Sequence, residues 1–345
     1  MSGSTIARLL DPAGLTGTEA RKVFDVLVAP RTSDAERAAI LVALEARGAS
    51  VEELAAFALE MRRRARPFSV PRRDRPVDLC GSGGARQPSF NVSTVSAFVV
   101  AAAGGAVVKH GNRSARGPCG SSDLLEALGL PVTTSVPFAR ATYRLYHLAF
   151  LHAPLYHPAT RAVAPVRQLL GTPTIFNRLG PMSNPARVPF QVVGMRDEVA
   201  AARAAEVLSR IGVRRGLAMT SADGCDEFSP RARTTAYVWN GKVRSRRSIR
   251  PQDLLPVEDR QGDWGPLLPP EAAEETERIL AGGGGARRGA VLLTSGAALW
   301  ISGRSRNLPE GLDRARSALD SGRAEVLLRH LQRLARRYRV ADREG

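Results

Sequence analysis

Cysteines, aromatic residues and long apolar runs are all scarce in this chain of 345 residues. Its three cysteines, Cys80, Cys119 and Cys225, stand apart and form no CxxC pair, which argues against a disulfide framework and indicates a reducing compartment. The longest uncharged run, residues 90–108, is broken by polar residues and glycines, so it predicts a buried helix and strand instead of a membrane span. The first ten residues lack the basic start and apolar centre of a signal peptide. We therefore expect a cytoplasmic protein.

Lysine is rare as well, although the chain is strongly basic. Of the 50 basic residues, 47 are arginines and three are lysines, and the formal net charge is +17. A basic surface suits nucleic acid, but only 5% of the residues are aromatic, which leaves few platforms for stacking bases. Because the arginines are spread along the whole chain, we interpret most of them as solvated charge. This interpretation includes three local clusters, at residues 62–66, 244–250 and 329–339.

Helical patterns fill the first 66 residues. Capping boxes at Ser33–Glu36 and Ser50–Glu53, each a serine followed three residues later by glutamate, predict the starts of two amphipathic helices. A proline- and arginine-rich segment, residues 67–76, then leads to a region where short β-branched runs alternate with helical stretches. This alternation predicts βα units around a mostly parallel sheet. We expect an α/β protein with a small all-helical lobe, residues 1–66, and a larger α/β lobe, residues 77–345.

Other elements of the α/β lobe can be predicted one by one. Asn240-Gly241 is a strong hairpin signal between two short runs of alternating residues. The remaining strands are predicted at residues 77–80, 106–108, 190–194 and 216–220, with the hairpin strands at 234–239 and 242–245. Helices are predicted at residues 95–103, 272–280, 290–302 and 323–338.

The first two of three phosphate-binding patterns follow the strand at residues 77–80. Gly81-Ser82-Gly83-Gly84 is a glycine cluster, in which the chain turns sharply and bare N–H groups approach an anion. Phe90-Asn91-Val92-Ser93-Thr94 opens an apolar helix, whose free N–H groups and positive dipole end would face the same anion. Both patterns are common when they stand alone, as an ordinary turn and an ordinary helix cap.

The third pattern follows the next strand and supplies cations. Lys109-His110-Gly111-Asn112-Arg113-Ser114 brings a compact ammonium and a forked guanidinium, and Gly120-Ser121-Ser122-Asp123 then begins a further helix. Lys109 stands where this chain overwhelmingly prefers arginine, which indicates a need for a point charge on a flexible stem. Three such patterns in order, each between a strand and a helix, predict a phosphate-rich ligand.

These segments read GSGGA, FNVST, KHGNRS and GSSDLL, and together they resemble the signature of the anthranilate phosphoribosyltransferases of the nucleoside phosphorylase-transferase superfamily. The resemblance continues through residues 157–159, 164–167, 176–181 and 223–227, and more loosely to both ends of the chain. It implies a homodimer whose active site lies in the cleft between a helical and an α/β lobe. It also implies that a segment near residues 167–185 packs back onto the helical lobe.

The activity implied by the resemblance is transfer of a phosphoribosyl group from phosphoribosyl pyrophosphate to the amino nitrogen of anthranilate, with Mg²⁺, in tryptophan biosynthesis. Lys109 and Arg113 would stabilise charge, and no residue would act as an acid or base. The phosphoribosyl pyrophosphate would be lined by Gly81, Gly83, Gly84, Ser89, Asn91, Ser93, Thr94, Lys109, His110, Gly111, Asn112, Arg113, Ser114, Gly117 and Ser121.

The resemblance also implies the remaining ligand contacts. Arg167 would bind the carboxylate of anthranilate through a two-pronged contact, with Gly81, Asn112 and His157 around the aromatic acid. The metal would be held by Ser93 and by the adjacent acidic pair Asp226-Glu227, which suits magnesium that also bridges to substrate phosphates. Asp223 is the weaker candidate for a ligand. His110 and His157 would line the site, whereas the role of His152 stays open.

The chain departs from the family pattern at a few positions. Ala85, followed by Arg86, replaces the aspartate that normally ends the glycine loop, and Arg116 and Gly117 replace small hydroxyl residues after KHGNRS. Pro173 replaces an arginine, and Ser295-Gly296 stands where an asparagine often opens a late helix. Loss of the carboxylate at Ala85 is expected to affect magnesium or ribose binding, and Arg116 adds a cation where phosphate is expected.

Three alternatives to this function stay open from the residues. A related phosphoribosyltransferase with a different aromatic acceptor would keep the phosphate patterns and change the side near Arg167. Pyrimidine nucleoside phosphorylases share the implied fold but are not expected to contain KHGNRS. A non-catalytic nucleic-acid-binding protein of the same fold would suit the charge of +17, yet it should have lost the glycine cluster and the acidic pair, both of which are present.

Overall fold

The computed structural model describes residues 8–83, 85–114, 117–241 and 243–341. Its helical lobe contains α1 (Gly17–Val28), α2 (Asp34–Arg47) and α3 (Val51–Arg64). Each of these helices begins with a capping box, in which the cap hydroxyl accepts from a backbone N–H and the glutamate accepts from the cap backbone. The boxes at Ser33 and Ser50 confirm the sequence prediction. The box at Thr16 was missed.

The α/β lobe follows and alternates strands with helices. The strands are β1 (Val77–Gly81), β2 (Val107–Gly111), β3 (Leu148–His152), β4 (Phe190–Gly194), β5 (Arg215–Ser221), β6 (Thr234–Asn240) and β7 (Val243–Ile249). The helices are α4 (Val92–Ala102), α5 (Ser121–Ala127), α6 (Val136–Tyr146), α7 (Ala153–Tyr156), α8 (Ala164–Leu170), α9 (Ile175–Leu179), α10 (Glu198–Arg210), α11 (Pro269–Leu280), α12 (Ala286–Ile301), α13 (Leu308–Asp320) and α14 (Arg323–Ala341).

All seven strands form one sheet in the order β3-β2-β1-β4-β5-β6-β7. Strands β1 to β5 pair in parallel, and β6 and β7 add an antiparallel hairpin at one edge. The prediction of a mostly parallel sheet beside a helical lobe is thereby confirmed. Parallel strands gather their carboxyl ends at one edge of the sheet, which is where α/β proteins bind ligands. The segments after β1, β2, β4 and β5 therefore meet.

The two faces of the sheet are covered differently. On one face, the apolar helix α12 packs against α4 and α13. Glycines at positions 296 and 311 permit this crossing, because a Cβ atom on Gly311 would lie 2.3 Å from the carbonyl oxygen of Gly296. On the other face, α10 and the helical lobe share one core that reaches the sheet at Val193 and Trp239. Helix α8 packs against α2, and α9 packs against α2 and α3.

The arginine clusters divide between solvent and interior. Arg244, Arg246 and Arg247 are exposed on the edge strand β7, as expected, whereas Lys242 lies outside the described residues. The interpretation of Arg62 as solvated was wrong, because its side chain is buried at the end of α3 with only 5% of its surface exposed. Arginine composition alone could not show which member of the cluster turns inward. In the part of the chain that the structure describes, no helix is long and apolar enough to cross a membrane.

Candidate functional site

The glycine turn after β1 closes onto the loop that follows β5. The N–H of Gly83 and the hydroxyl of Ser82 donate to Oδ2 of Asp226, at 2.8 and 3.1 Å. Gly83 has a φ of +66°, and a Cβ on Gly81 would lie 3.0 Å from the same carboxylate oxygen, so glycine is required by conformation at one position and by space at the other. The contact between the two loops does not depend on a side chain at Ala85, because the backbone N–H groups of residues 86 and 87 donate to the carbonyl of Gly224.

The amino end of α4 is the second wall of the site. Asn91 caps this helix, which begins at Val92 and not at Val95 as predicted, so Ser93 and Thr94 lie in its first turn. Both side chains are buried. The N–H of Ser93 donates to Oε1 of Glu227 at 3.3 Å, which joins the helix terminus to the acidic pair. The N–H groups of Val92 and Thr94 donate to the carbonyls of Phe90 and Asn91. It is therefore the helix dipole that makes this end attractive to an anion.

Lys109 ties three elements together at the bottom of the site. Its side chain is 3% exposed, and its ammonium donates to the carbonyl of Leu79 on β1 at 2.5 Å and to the hydroxyl of Ser93 on α4 at 3.1 Å. An ammonium has three donors, so one remains for a ligand. The resulting arrangement is a buried positive charge beneath the amino end of α4.

The segment after β2 rests on the first turn of α5. The hydroxyl of Ser121 donates to the carbonyl of Asn112 at 3.1 Å, and Gly111 is required there because a Cβ would lie 2.2 Å from that hydroxyl. The N–H of Ser114 donates to Oδ2 of Asp123 at 3.0 Å. These contacts fix the shape of the KHGNRS segment.

Arg113 is held differently from the phosphate contact that the resemblance implies. Its guanidinium forms ion pairs with Asp123 at 2.8 Å and with Glu126 at 2.7 Å, and about half of the side chain is exposed. The nearby N–H of Gly117 donates to the hydroxyl of Ser114 at 2.7 Å. In this structure, therefore, Arg113 fastens the segment to α5.

The adjacent acidic residues after β5 are both buried. Burial raises the pKa of Asp226, and the hydrogen bonds to its carboxylate offset this effect only in part. Burial and the neighbouring Asp226 carboxylate raise the pKa of Glu227 to about 8. Gly194 at the end of β4 makes room for this loop, because a Cβ there would lie 1.5 Å from the carbonyl oxygen of Asp226. Asp223 stays outside the pair and accepts from the N–H of Cys225 at 3.4 Å.

Adjacent buried carboxyl groups, such as those of Asp226 and Glu227, are suited to binding a cation. Within the described residues, no group of three or more His, Cys, Asp or Glu side chains is arranged to hold a metal by itself. Magnesium does not require such a group, because it commonly takes one or two protein carboxylates and completes its shell with water and substrate phosphates. The acidic pair and the hydroxyl of Ser93 therefore fit magnesium that arrives with a phosphate ligand.

Arg167 has an unmet donor in a setting suited to an aromatic acid. Its guanidinium carbon lies 5.5 Å from the centroid of the Phe176 ring, and Nη2 donates to Asn177 at 3.3 Å. Its Nε is buried and has no hydrogen-bond partner among the described residues. A carboxylate presented to this edge would satisfy the donor through a charge-assisted bond.

The three histidines considered for the site separate into a facing pair and a third that is bonded elsewhere. The rings of His110 and His157 pack edge to face with centroids 5.0 Å apart, and Nε2 of each has no partner among the described residues. Burial lowers the pKa of both, to about 4 for His157, so both are neutral at physiological pH. His152, undecided from sequence, bonds the hydroxyl of Ser122 at 2.9 Å through Nδ1.

Sequence reasoning missed a buried pair beneath these histidines. Asp78 on β1 accepts from the N–H of His110 at 3.2 Å and from the side-chain amide of Asn184 at 2.9 Å, and Asn184 also donates to the carbonyl of Val108 at 2.8 Å. Both side chains are fully buried. An acidic residue inside an apolar strand was the available signal, because a buried carboxylate requires hydrogen-bond partners.

Gly84 and Arg116, two positions of interest in the sequence, lie outside the described residues. Gly81 ends β1, Lys109, His110 and Gly111 end β2, and His157 follows α7. The other predicted site residues lie on the segments after β1, β2 and β5, in the first turns of α4 and α5, and on α8. Ser295 and Gly296 are buried within α12, and Pro173 is exposed just before α9.

Comparison with known proteins decides the family. The helical-bundle domain model of a glycosyl transferase family matches residues 4–65, and the a/b domain model of the same kind matches residues 73–325. Anthranilate phosphoribosyltransferase from Alkaliphilus metalliredigens is 35% identical over 345 residues, covering 99% of this chain and 100% of the relative. The chain belongs to the anthranilate phosphoribosyltransferases. The family resemblance inferred from the sequence is therefore confirmed.

Other members of the anthranilate phosphoribosyltransferases agree in sequence and in fold. The one from Natronomonas pharaonis is 39% identical, with 95% of this chain and 98% of the relative covered. The crystal structure of the one from Thermus thermophilus superposes with a TM-score of 0.85 at 36% identity and covers 96% of this chain and 99% of that chain. The one from Saccharomyces cerevisiae, in complex with PRPP and Mg, has the same fold at 24% identity, a TM-score of 0.81 and coverage of 96% and 97%.

Proposed function

We propose that this chain transfers the phosphoribosyl group of phosphoribosyl pyrophosphate to the amino nitrogen of anthranilate, and that the residues at the carboxyl edge of the sheet perform the transfer. One observation carries this proposal. The glycine turn, the first turn of α4, Lys109 and the acidic pair are joined by direct hydrogen bonds into a single site, through the contacts Gly83–Asp226, Ser93–Glu227 and Lys109–Ser93.

The phosphoribosyl transfer mainly requires that the leaving group be stabilised. Breaking the bond at C1 of ribose leaves an oxocarbenium-like centre and a departing pyrophosphate, on which negative charge accumulates. Donors fixed in advance around that charge lower the barrier. We propose that Lys109 supplies such a donor and that the positive dipole end of α4 adds to it. The substrate would be surrounded by Gly81, Gly83, Ser89, Asn91, Ser93, Thr94, His110, Gly111, Asn112, Ser114, Gly117 and Ser121.

Arg113 receives a narrower role in this proposal. Its guanidinium is already paired with Asp123 and Glu126, so it contributes by holding the KHGNRS segment against α5. The attacking nitrogen is an aromatic amine, which is unprotonated at neutral pH and needs no strong base. Positioning of the two substrates is therefore the second source of rate.

Anthranilate is proposed to lie between Arg167 and the end of β2. The unpartnered Nε of Arg167 supports a contact with the carboxylate, and the neutral rings of His110 and His157 offer uncharged walls to the aromatic ring. Asn112 and Gly81 would border the side that faces the ribose. The fluorinated analogue 4-fluoroanthranilate is bound in a structure of the Saccharomyces cerevisiae relative.

Magnesium is proposed to be held by Ser93, Asp226 and Glu227. The fit rests on the two adjacent buried carboxyl groups, whose raised pKa values mean that burial destabilises their ionised forms, which a bound cation would stabilise. A divalent cation bound there would neutralise charge on the pyrophosphate. The hydrogen bonds from Ser82 and Gly83 keep Asp226 oriented, so the protein's own part is to hold the carboxylates where a phosphate-borne cation arrives.

We further propose that the protein is a cytoplasmic homodimer. The three cysteines are free thiols, which suits a reducing compartment. The helical lobe and the helix packed on it expose large apolar side chains, with Leu10 58%, Val42 51% and Leu169 83% exposed, and such exposure is typical of a contact surface. Light scattering coupled to gel filtration would return twice the chain mass if this is right and the chain mass if it is wrong.

The transferase proposal is tested by the loss of anthranilate fluorescence in the presence of phosphoribosyl pyrophosphate and magnesium. The double variant Asp226→Ala/Glu227→Ala should abolish the loss. Asp223→Ala is the matched control, because it removes a carboxylate from the same loop outside the pair, and it should retain turnover. Binding of phosphoribosyl pyrophosphate without anthranilate consumption would indicate another aromatic acceptor, and failure to bind it would refute the enzyme assignment.

A further inference from the structure

A second basic cavity lies at the opposite edge of the sheet from the proposed active site. It has a volume of about 460 Å³, which is within the range of small-molecule sites. Its walls come from α1 and α3 and from the segments that precede β1, β4 and β5, so it faces the amino ends of the parallel strands. The length of a five-residue strand, roughly 15 Å, separates the two edges. The charged residues that line it are Arg21, Glu60, Arg62, Arg63, Arg72 and Arg187.

Arg62 is the unusual member of this lining. Its Nη1 donates to the carbonyl of Ile211 at 3.1 Å, but its Nε and Nη2 are buried and have no hydrogen-bond partner among the described residues. Burial lowers the pKa of Arg62 to about 10, and the charge of nearby Arg187 adds to that effect. A buried guanidinium with unmet donors is costly, and the cost falls when an anion satisfies it.

The carboxylates near Arg62 are committed to other partners. Glu60 pairs with Arg63 at 2.8 Å and with Arg64 at 3.5 Å, both on its own helix. Asp78 attracts Arg62 through its charge, yet its two oxygens accept from His110 and Asn184. The unmet donors of Arg62 are therefore not supplied by either acid.

Arg187 brings a second guanidinium to the same place. Its Nη2 donates to the backbone carbonyl of Arg62 at 3.3 Å, and its φ of +48° is the left-handed conformation that non-glycine residues seldom adopt. Like charges repel unless an anion lies between them. Arg72, exposed on the short turn before β1, adds a third guanidinium at the cavity wall.

We propose that this cavity binds a small phosphate-bearing molecule, whose oxyanion is held by Arg62 and Arg187 with Arg72 beside it. Planar guanidinium forks match the oxygens of a phosphate group, which is why arginine is favoured at such sites. Ala56, Leu59 and Ile211 give the cavity an apolar wall that suits an organic remainder. The site is separate from the proposed pyrophosphate site and does not depend on transferase activity.

The test is calorimetric titration of the full chain with inorganic phosphate. Wild type should bind two phosphates per chain, one at each edge of the sheet. Arg187→Asn, which keeps a residue tolerant of the left-handed conformation, should weaken one site by about tenfold or more, as expected for loss of a hydrogen bond to a charged group. Arg72→Ala should weaken the same site, and Lys109→Met should weaken only the other.

Arg73→Ala is the matched control, because it removes an exposed arginine from the same turn that does not line the cavity. It should leave both sites unchanged. A single phosphate per chain that is lost with Lys109→Met would overturn the proposal. So would two sites that are both indifferent to Arg187→Asn and Arg72→Ala, or an equal loss with Arg73→Ala, which would indicate diffuse charge instead of a site.

Discussion

Protonation of the buried histidine pair should make the fold sensitive to mild acid. His157 has 3% of its surface exposed, and burial lowers its folded-state pKa from 6.5 to about 4. In the unfolded chain the same ring titrates near its ordinary pKa. Below pH 6.5 the unfolded state therefore binds a proton at His157 that the folded state does not bind until the pH approaches 4. The free energy of unfolding must fall as the pH falls through the interval between the two values.

The size of the effect follows from the two pKa values. Over the whole interval, His157 alone should remove about 3 kcal/mol of stability, and about 2 kcal/mol of this should be lost between pH ~7.5 and pH ~5. His110 is shifted in the same direction, so wild type should lose more than His157 alone accounts for. The relevant quantity is the pH dependence that disappears when His157 is replaced.

Urea unfolding across this pH range measures that quantity. His157→Gln is expected to be less stable than wild type near neutral pH, with a difference that shrinks by about 2 kcal/mol towards pH ~5. His330→Gln, which replaces a half-exposed histidine on α14, is the comparison variant. Parallel curves for wild type and His157→Gln would refute the reasoning, because they would mean that His157 takes up its proton equally in both states.

Three further changes probe the site and the helical lobe. Gly194→Ala should lower kcat/KM by about a hundredfold. Its Cβ would lie 1.5 Å from the carbonyl oxygen of Asp226 and would therefore displace the acidic loop, so unchanged steady-state kinetics would contradict this prediction. Arg167→Lys should raise the KM for anthranilate by about tenfold or more and leave that for phosphoribosyl pyrophosphate unchanged, since an ammonium cannot make the planar contact. Glu53→Gln should reduce the free energy of unfolding by about 3 kcal/mol in urea titrations, because the buried Glu53 carboxylate is the charged partner of Arg47, whose side chain is 10% exposed. A loss below about 1 kcal/mol would show that the pair is unimportant.

Local patterns were sufficient for most of the elements that surround the site. Strand β4 was predicted with its observed limits, residues 190–194, because Gly194 ends a run of apolar and β-branched residues. The hairpin around Asn240-Gly241 was also confirmed, since this dipeptide supplies the left-handed conformation that a tight turn needs. Helix α13 was missed, although Pro309 stands near its start, where proline is favoured.

The contacts of individual site residues could not be read from local patterns. Nothing in the segment 62–66 distinguishes Arg62 from its neighbours, and its burial is decided by the carbonyl of Ile211, far away in the chain. The pairing of Arg113 with Asp123 likewise depends on how α5 folds back onto the segment after β2. Asp78 was passed over because its partners, His110 and Asn184, come from other strands and loops. In each case a long-range contact sets the role of the side chain.

The single lysine of the site illustrates how such contacts select a residue type. In a chain with 47 arginines, Lys109 is buried where its ammonium reaches the carbonyl of Leu79 and the hydroxyl of Ser93 at the same time. A guanidinium is wider and flat, and it would present five donors where the surrounding groups satisfy two and a ligand is proposed to take the third. Lysine therefore replaces the arginine that this chain otherwise prefers, because a compact charge must fit beneath the amino end of α4. Negative charge accumulates at this same place in the proposed reaction.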